Sequence, residues 1–275
     1  MALSLVMFML IALVPCVIGA ISGIGGGIII KPALDMAAGS SLAGNFAGSL
    51  GAVEINFLSG CTVLAMSAVS LLRSRKTGVR LEAGRGAALA VGAAAGGISG
   101  KIFFSFVVMA AHKNTVGAIQ SLLLIIMTGG VMLYMRKKES IARKNLRFLP
   151  FCTALGLGLG LISAFLGIGG GPINIMAISF FLYMDTKTSA LHSLFVIFLS
   201  QLASFFLTLG TGIPAVPLPG LGAMICGGVS GALIGSYFVR LLRNDQIEKL
   251  FNILMIAVIA LSACNLINFI RSPVV

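Results

Sequence analysis

The chain has 275 residues, of which 58% are hydrophobic and 9% are charged. In soluble domains about a quarter of the residues are charged. This composition excludes a soluble globular protein and predicts a polytopic protein embedded in the lipid bilayer. The formal net charge of +12 comes from short basic clusters between apolar runs, as the positive-inside rule describes, so no nucleic-acid partner is expected.

The first half of the chain predicts a broken apolar segment followed by three membrane spans. Residues 2 to 22 form a run long enough to cross a hydrocarbon core of about 30 Å. Four glycines then interrupt the run at Gly23-Ile24-Gly25-Gly26-Gly27, and Pro32 limits the leg that follows. The small residues at 37 to 51 predict a loop or a shallow segment. The three spans are predicted at 53 to 72, 86 to 108 and 115 to 135.

The second half repeats this order. The same five letters recur 144 positions later, between an apolar run at 150 to 166 and a leg from Pro172 to Tyr183. Further spans are predicted at 189 to 209, 221 to 239 and 247 to 269. The chain therefore divides into a first repeat at 1–138, a basic cytoplasmic linker at 139–149 and a second repeat at 150–275.

Loop charge indicates how the halves are related. The loop at 73 to 85 carries five basic residues, and its partner at 210 to 220 carries none, whereas the 240 to 249 loop is basic and its partner is not. Opposite charge at equivalent loops indicates inverted topology. Each half must then cross the membrane an odd number of times, which holds if each glycine break is the bend of a hairpin.

The predicted fold class is therefore an all-α integral membrane protein of two inverted-topology repeats. Each repeat has a glycine-broken hairpin and three transmembrane helices, so both termini lie outside. Counting each broken run as one helix gives eight segments instead of ten and makes the repeats parallel, which conflicts with the loop charges.

The paired GIGGG motifs resemble those of the TauE/SafE family of anion permeases. The resemblance covers essentially the whole chain and includes serine-containing helices after each break and two glycine ladders, Gly92, Gly96, Gly100 and Gly227, Gly231, Gly235. It implies transport of sulfite, sulfonates such as sulfoacetate, or related organic anions. The sequence departs from the family pattern at Lys31, which is usually apolar, and at Pro172, which directly follows the second set of glycines.

The glycine breaks also indicate an anion site on physical grounds. A helix that starts after a break points unpaired N–H groups and a partial positive charge towards it. Polar side chains nearby could add donors, although helical hydroxyls more often bond to their own backbone. The ladders are expected to serve helix packing. The predicted substrate-binding residues are Gly23, Gly25, Gly26, Gly27, Lys31, Ser59, Thr62, Lys101, Gly167, Gly169, Gly170, Gly171, Asn174 and Ser193.

Three ionisable side chains have two interpretations each. Lys31 and Lys101 lie deepest in apolar sequence, where a charge marks a functional site unless the side chain reaches the interface by snorkelling. His192 is a candidate for proton coupling, or a solvated histidine at a helix end. The seven acidic residues, by contrast, are all expected at helix ends or in loops.

Other classes of function lack the residues they need. Two histidines 80 positions apart form no catalytic or metal cluster, so neither an enzyme nor a metal site is predicted. Neither GIGGG is followed by the Lys-Ser/Thr of a phosphate loop, and no cofactor is expected. The five cysteines lack paired spacing and are expected to be buried. The leading hypothesis is a secondary transporter of a small anion in the cytoplasmic membrane, with an anion channel or a carboxylate carrier as alternatives.

Overall fold

The computed structural model describes residues 2–38, 50–74, 82–111, 113–137, 146 and 148–271. Within these residues the chain forms ten helices and no strand. The helices are α1 (Ala2–Ser22), α2 (Gly27–Ala38), α3 (Ala52–Ser74), α4 (Ala83–Ala110), α5 (Lys113–Lys137), α6 (Leu149–Leu166), α7 (Gly171–Leu182), α8 (Thr186–Thr211), α9 (Leu218–Leu241) and α10 (Asn244–Arg271).

These helices confirm the prediction of a polytopic all-α membrane protein. Eight of them are long and apolar enough to cross a membrane, and the legs after the breaks, α2 and α7, have only 12 residues each. Most helices extend a few residues beyond the predicted spans. Residues 39–49 of the predicted small-residue loop, and residues 139–145 and 147 of the predicted basic linker, lie outside the described part of the chain.

The first helix of each half packs against the other half. Helix α1 lies along α9, and α6 lies along α4. The glycine ladders make both contacts close: a Cβ on Gly231 would lie 2.7 Å from the carbonyl oxygen of Leu13, and one on Gly96 would overlap the carbonyl oxygen of Leu157. Since only small residues allow backbones to approach this closely, the ladders serve helix packing as expected.

Several helix ends meet at one end of the bundle. Ser74 ends α3, Lys187 lies in the first turn of α8 and Ile247 lies near the start of α10, and all three line one pocket. We call this the basic end, because the described residues there include Arg73, Arg85, Arg240 and Arg243. Helix α3 thus ends where its counterpart α8 begins. The inverted relation of the halves stays a prediction, and this arrangement supports it.

The expectation that every cysteine is buried was wrong. Cys16, Cys61 and Cys152 are buried, but Cys226 and Cys264 are exposed. The latter two lie on α9 and α10, on faces that these helices turn away from the rest of the bundle. Apolar composition around a cysteine therefore reflects lipid contact as readily as burial in protein.

Candidate functional site

The two glycine breaks contact each other inside the bundle. A Cβ on Gly27 would lie 2.5 Å from the carbonyl oxygen of Ile168, and one on Gly171 would overlap the carbonyl oxygen of Ile24. Each second leg therefore begins against the break of the other half. No residue with a side chain fits at the last glycine of either motif without separating the breaks.

At each break a long helix ends at a glycine, and the backbone of that glycine is in the left-handed conformation. Gly23 has φ of 75° and Gly167 has φ of 65°, so both lie at the residue where a helix commonly ends in this way. A long helix of the other half covers each bend: Ala190 of α8 packs on Gly23, and Asn56 of α3 packs on Gly167. The start of α8 therefore covers the first break, and the start of α3 covers the second.

Polar side chains surround the second break. The hydroxyls of Ser163 and Ser200 lie 3.2 Å apart, and Gln201 Nε2 lies 3.4 Å from Ser163 Oγ. Asn174 Nδ2 donates to the carbonyl of Gly169 at 3.3 Å, while its Oδ1 has no hydrogen-bond partner among the described residues. All four side chains are buried. This side of the joined breaks can therefore offer hydrogen bonds to a ligand.

The first break has its polar group one turn further along, on α2. Lys31 Nζ donates to Gln120 Oε1 at 2.7 Å and pairs with Asp35 at 3.7 Å. Gln120 Nε2 in turn donates to the carbonyl of Phe165, near the end of α6, at 2.8 Å. Lys31 is only 4% exposed, so the snorkelling interpretation was wrong. Asp35 lies in the last turn of α2, in agreement with the expected helix end, and its side chain is only 9% exposed in this ion pair.

The hydroxyls of Ser22 and of the predicted donors Ser59, Thr62 and Ser193 divide into two groups. Thr62 donates to the carbonyl of Leu58 and Ser22 to that of Ile18, each at 2.8 Å, as helical hydroxyls commonly do. Ser59 and Ser193, at equivalent positions of α3 and α8, are fully buried, and their Oγ atoms have no partner among the described residues. Of these four hydroxyls, those of Ser59 and Ser193 are therefore still able to form a hydrogen bond.

Lys101 lies beside the second break and not with Lys31. It is half-buried on α4, its Nζ 5.7 Å from the ring centroid of Phe104, and it lines a pocket that reaches Gly167. We call this the Lys101 pocket. Its polar lining also includes Asn56, Gln201, Ser204 and Thr208.

Sequence reasoning missed these four polar residues as parts of a site. Gln201 and Asn56 are amides inside apolar spans, where a buried polar group is costly, and that signal was readable. Ser204 and Thr208 are joined by a helical bond from Thr208 Oγ1 to the carbonyl of Ser204, so their hydroxyls resemble many others in sequence. Only the packing shows that they face the same pocket.

His192 is buried, so the expectation of a solvated helix-end histidine was wrong. It is 1% exposed, its Nδ1 lies 3.0 Å from the carbonyl of Thr188, and its Nε2 accepts from the backbone N–H of Glu82 at 3.3 Å. Both ring nitrogens are therefore engaged, Nδ1 within α8 and Nε2 at the residue that precedes α4. These contacts favour a structural role for His192, and proton coupling through it is the alternative that the pH profile of uptake tests.

Eight apolar helices, with two broken segments that meet beside a lysine-containing pocket, define a polytopic membrane protein of the transporter type. The family model described as Sulfite exporter TauE/SafE matches residues 8–262. The chain belongs to this family, which confirms the resemblance drawn from the glycine motifs. No curated protein and no solved structure matches the chain.

Proposed function

We propose that the protein is a secondary transporter that moves a small anion across the cytoplasmic membrane by alternating access. The expected substrates are sulfite, a sulfonate such as sulfoacetate, or another sulfur-containing or organic anion. The family description, which names sulfite export, supports this class. The observation that carries the proposal is the Lys101 pocket, which reaches the second glycine break.

The residues of this pocket suit an oxyanion. The Lys101 ammonium supplies a positive charge, and charge-assisted hydrogen bonds from such a group are roughly twice as strong as neutral ones. The amide of Gln201 and the hydroxyl of Ser204 can bind further oxygens, and no carboxylate is among the described residues that line the pocket. Together these groups favour an anion over a cation.

Packing of the halves suggests how access alternates. Helix α6 is attached to α4 and helix α1 to α9, so each broken segment is carried by helices of the opposite half. The joined breaks lie between the Lys101 pocket and the basic end of the bundle. A shift of one half against the other would part the breaks and open a path between these two regions.

Uptake into proteoliposomes tests the proposal. Purified protein would be supplied with labelled sulfite, thiosulfate, sulfoacetate and small carboxylates, and Lys101→Gln would be compared with Lys249→Gln, which removes the same charge from an exposed position. We expect Lys101→Gln to raise KM about tenfold or more, since it removes a charged hydrogen bond, and the control to leave KM unchanged. No flux across the whole panel would overturn the substrate class, and wild-type KM in Lys101→Gln would overturn the site.

Transport kinetics separate a carrier from an anion channel. A carrier is expected to show saturable flux and exchange of labelled for unlabelled anion across the membrane. Ohmic anion currents without exchange would identify a channel instead. The same preparations serve both measurements.

A further inference from the structure

A second pocket lies at the basic end of the bundle, on the other side of the joined breaks. It is lined by four polar side chains, Ser70, Ser74, Lys187 and Ser236, among apolar ones. We call it the Lys187 pocket. Resting on the proposed function, we propose that it is a second binding site for the same small oxyanion, which loads from the cytoplasmic side.

The two pockets occupy equivalent places in the two halves. Positions 134 apart pair Ser70 with Ser204 and Ser74 with Thr208, and the second member of each pair lines the Lys101 pocket. The Lys187 pocket also reaches Ala20 and Ala190, and Ala190 packs on Gly23 of the first break. It therefore adjoins the first break as the Lys101 pocket adjoins the second.

Each pocket has one lysine, but from a different helix. The position equivalent to Lys101 is Ser236, whereas Lys187, in the first turn of α8, corresponds to Val53. Lys187 is half-buried, and no described carboxylate lies within ion-pair distance of it. The charge needed to attract an anion thus recurs at a non-equivalent position.

The charge in this pocket comes from the lysine side chain and not from the helix end. The Asp185 carboxylate accepts from the backbone N–H groups of Lys187 and Thr188 at 3.2 and 3.4 Å, so the start of α8 is already capped. Glu248, on the neighbouring α10, accepts from Thr186 Oγ1 at 2.8 Å. The nearby acidic groups are therefore engaged with backbone or hydroxyl donors.

One residue of the pocket lining, Ser70, has a buried hydroxyl without a partner among the described residues. Ser70 is only 4% exposed. A buried hydroxyl without a partner is unfavourable, and an oxyanion would accept its hydrogen bond. Lys187 and Ser70, which line the same pocket, would then contact the same ligand.

The two lysines are expected to act from opposite sides of the membrane. Lys187 and Thr208 lie near opposite ends of α8, about 30 Å apart along the helix axis by its rise per residue. An anion that enters from the basic end meets Lys187 first, and one that enters from the other end meets Lys101 first. A variant of either lysine should therefore impair loading from one side only.

Sided vesicles test this inference. Radiolabelled sulfite uptake would be measured in inside-out and right-side-out membrane vesicles for the wild type, Lys101→Gln, Lys187→Gln and the exposed control Lys249→Gln. We expect Lys187→Gln to raise the KM about tenfold in inside-out vesicles alone, and Lys101→Gln to do so in right-side-out vesicles alone. Lys187→Arg, which keeps the charge, should restore the KM, and Ser70→Ala should raise it about threefold from the same side.

The outcomes separate this inference from the proposed function. The second site would be overturned if Lys187→Gln had the wild-type KM in both kinds of vesicle, or if it raised the KM equally in both. Either result would leave the proposed transporter function intact. If Lys187→Gln does not accumulate in the membrane, Ser70→Ala decides, and an unchanged KM in inside-out vesicles overturns the site. Wild-type vesicles that take up no anion of the panel would overturn the proposed function itself.

Discussion

The two glycine breaks have the same five residues but different surroundings. Around the second break, Ser163, Ser200 and Asn174 place two hydroxyls and an amide. The residues at the equivalent positions of the first half are Gly19, Met66 and Ile30. The first break is therefore apolar at the positions where the second carries polar groups.

The glycines of the motif and the residues outside it therefore have different roles. The glycines determine where the chain bends and allow the breaks to touch. Residues outside the motif determine what each break does: the first is anchored through Lys31 and Gln120 to the end of α6, and the second presents polar groups. Variants at the contact, the anchor and the polar groups test this division.

The largest effect is expected at the contact between the breaks. Gly27→Val would place atoms against the carbonyl of Ile168 and the side chain of Val63, whose Cγ2 would lie 2.7 Å from a new Cβ. Such overpacking costs about 1 to 3 kcal/mol, and forcing the breaks apart should reduce sulfite uptake to background. Uptake and the melting temperature in detergent measure the two effects.

Gly129→Ala is the matched control, because no atom lies within 4 Å of a Cβ there. We expect its uptake to be unchanged and its stability to be equal or higher by up to about 1 kcal/mol, since alanine favours a helix interior. Wild-type uptake in Gly27→Val would contradict the requirement for contact between the breaks.

The next effect is expected at the anchor of the first break. Lys31→Met leaves the buried Asp35 carboxylate without its cation, which should lower the free energy of unfolding by about 3 to 5 kcal/mol. The double variant Lys31→Met/Asp35→Leu removes both charges and should be more stable than the single one. Denaturant unfolding in detergent compares them, and equal stability of the single and double variants would argue against the ion pair.

A smaller and more selective effect is expected at the polar groups of the second break. Ser200→Ala and Asn174→Ala should each raise the KM for sulfite by up to about tenfold, since each removes one hydrogen-bonding group. Met66→Leu, at the position equivalent to Ser200, should leave KM unchanged. Concentration-dependent uptake measures all three, and equal KM changes at both breaks would remove the distinction between them.

The smallest effect is expected at His192. Because both ring nitrogens are hydrogen-bonded, His192→Gln should cost about 1 kcal/mol of stability and leave the pH profile of uptake unchanged. Uptake between pH 5 and 8, the range in which histidine ordinarily titrates, checks this expectation. A profile that becomes flat in the variant would instead support proton coupling through this residue.

Much of the fold was predictable from sequence because its signals are local. Helix length follows from apolar run length, and the bends follow from glycine, so α1 ends at Ser22 and α6 at Leu166 as expected. The site was predictable only in part. Lys31 and Lys101 were assigned to one site, yet Lys31 pairs with Asp35, whereas Lys101 lies with Gly167.

The sequence by itself determined the membrane class and the position of each break, because these depend on composition and spacing along the chain. Only the tertiary structure decided which residues share a site. Helix α4 carries Lys101 to the second break because its glycine ladder fits closely against α6 of the other half. Contacts between halves depend on how backbones approach in space, and spacing along one chain does not encode that directly.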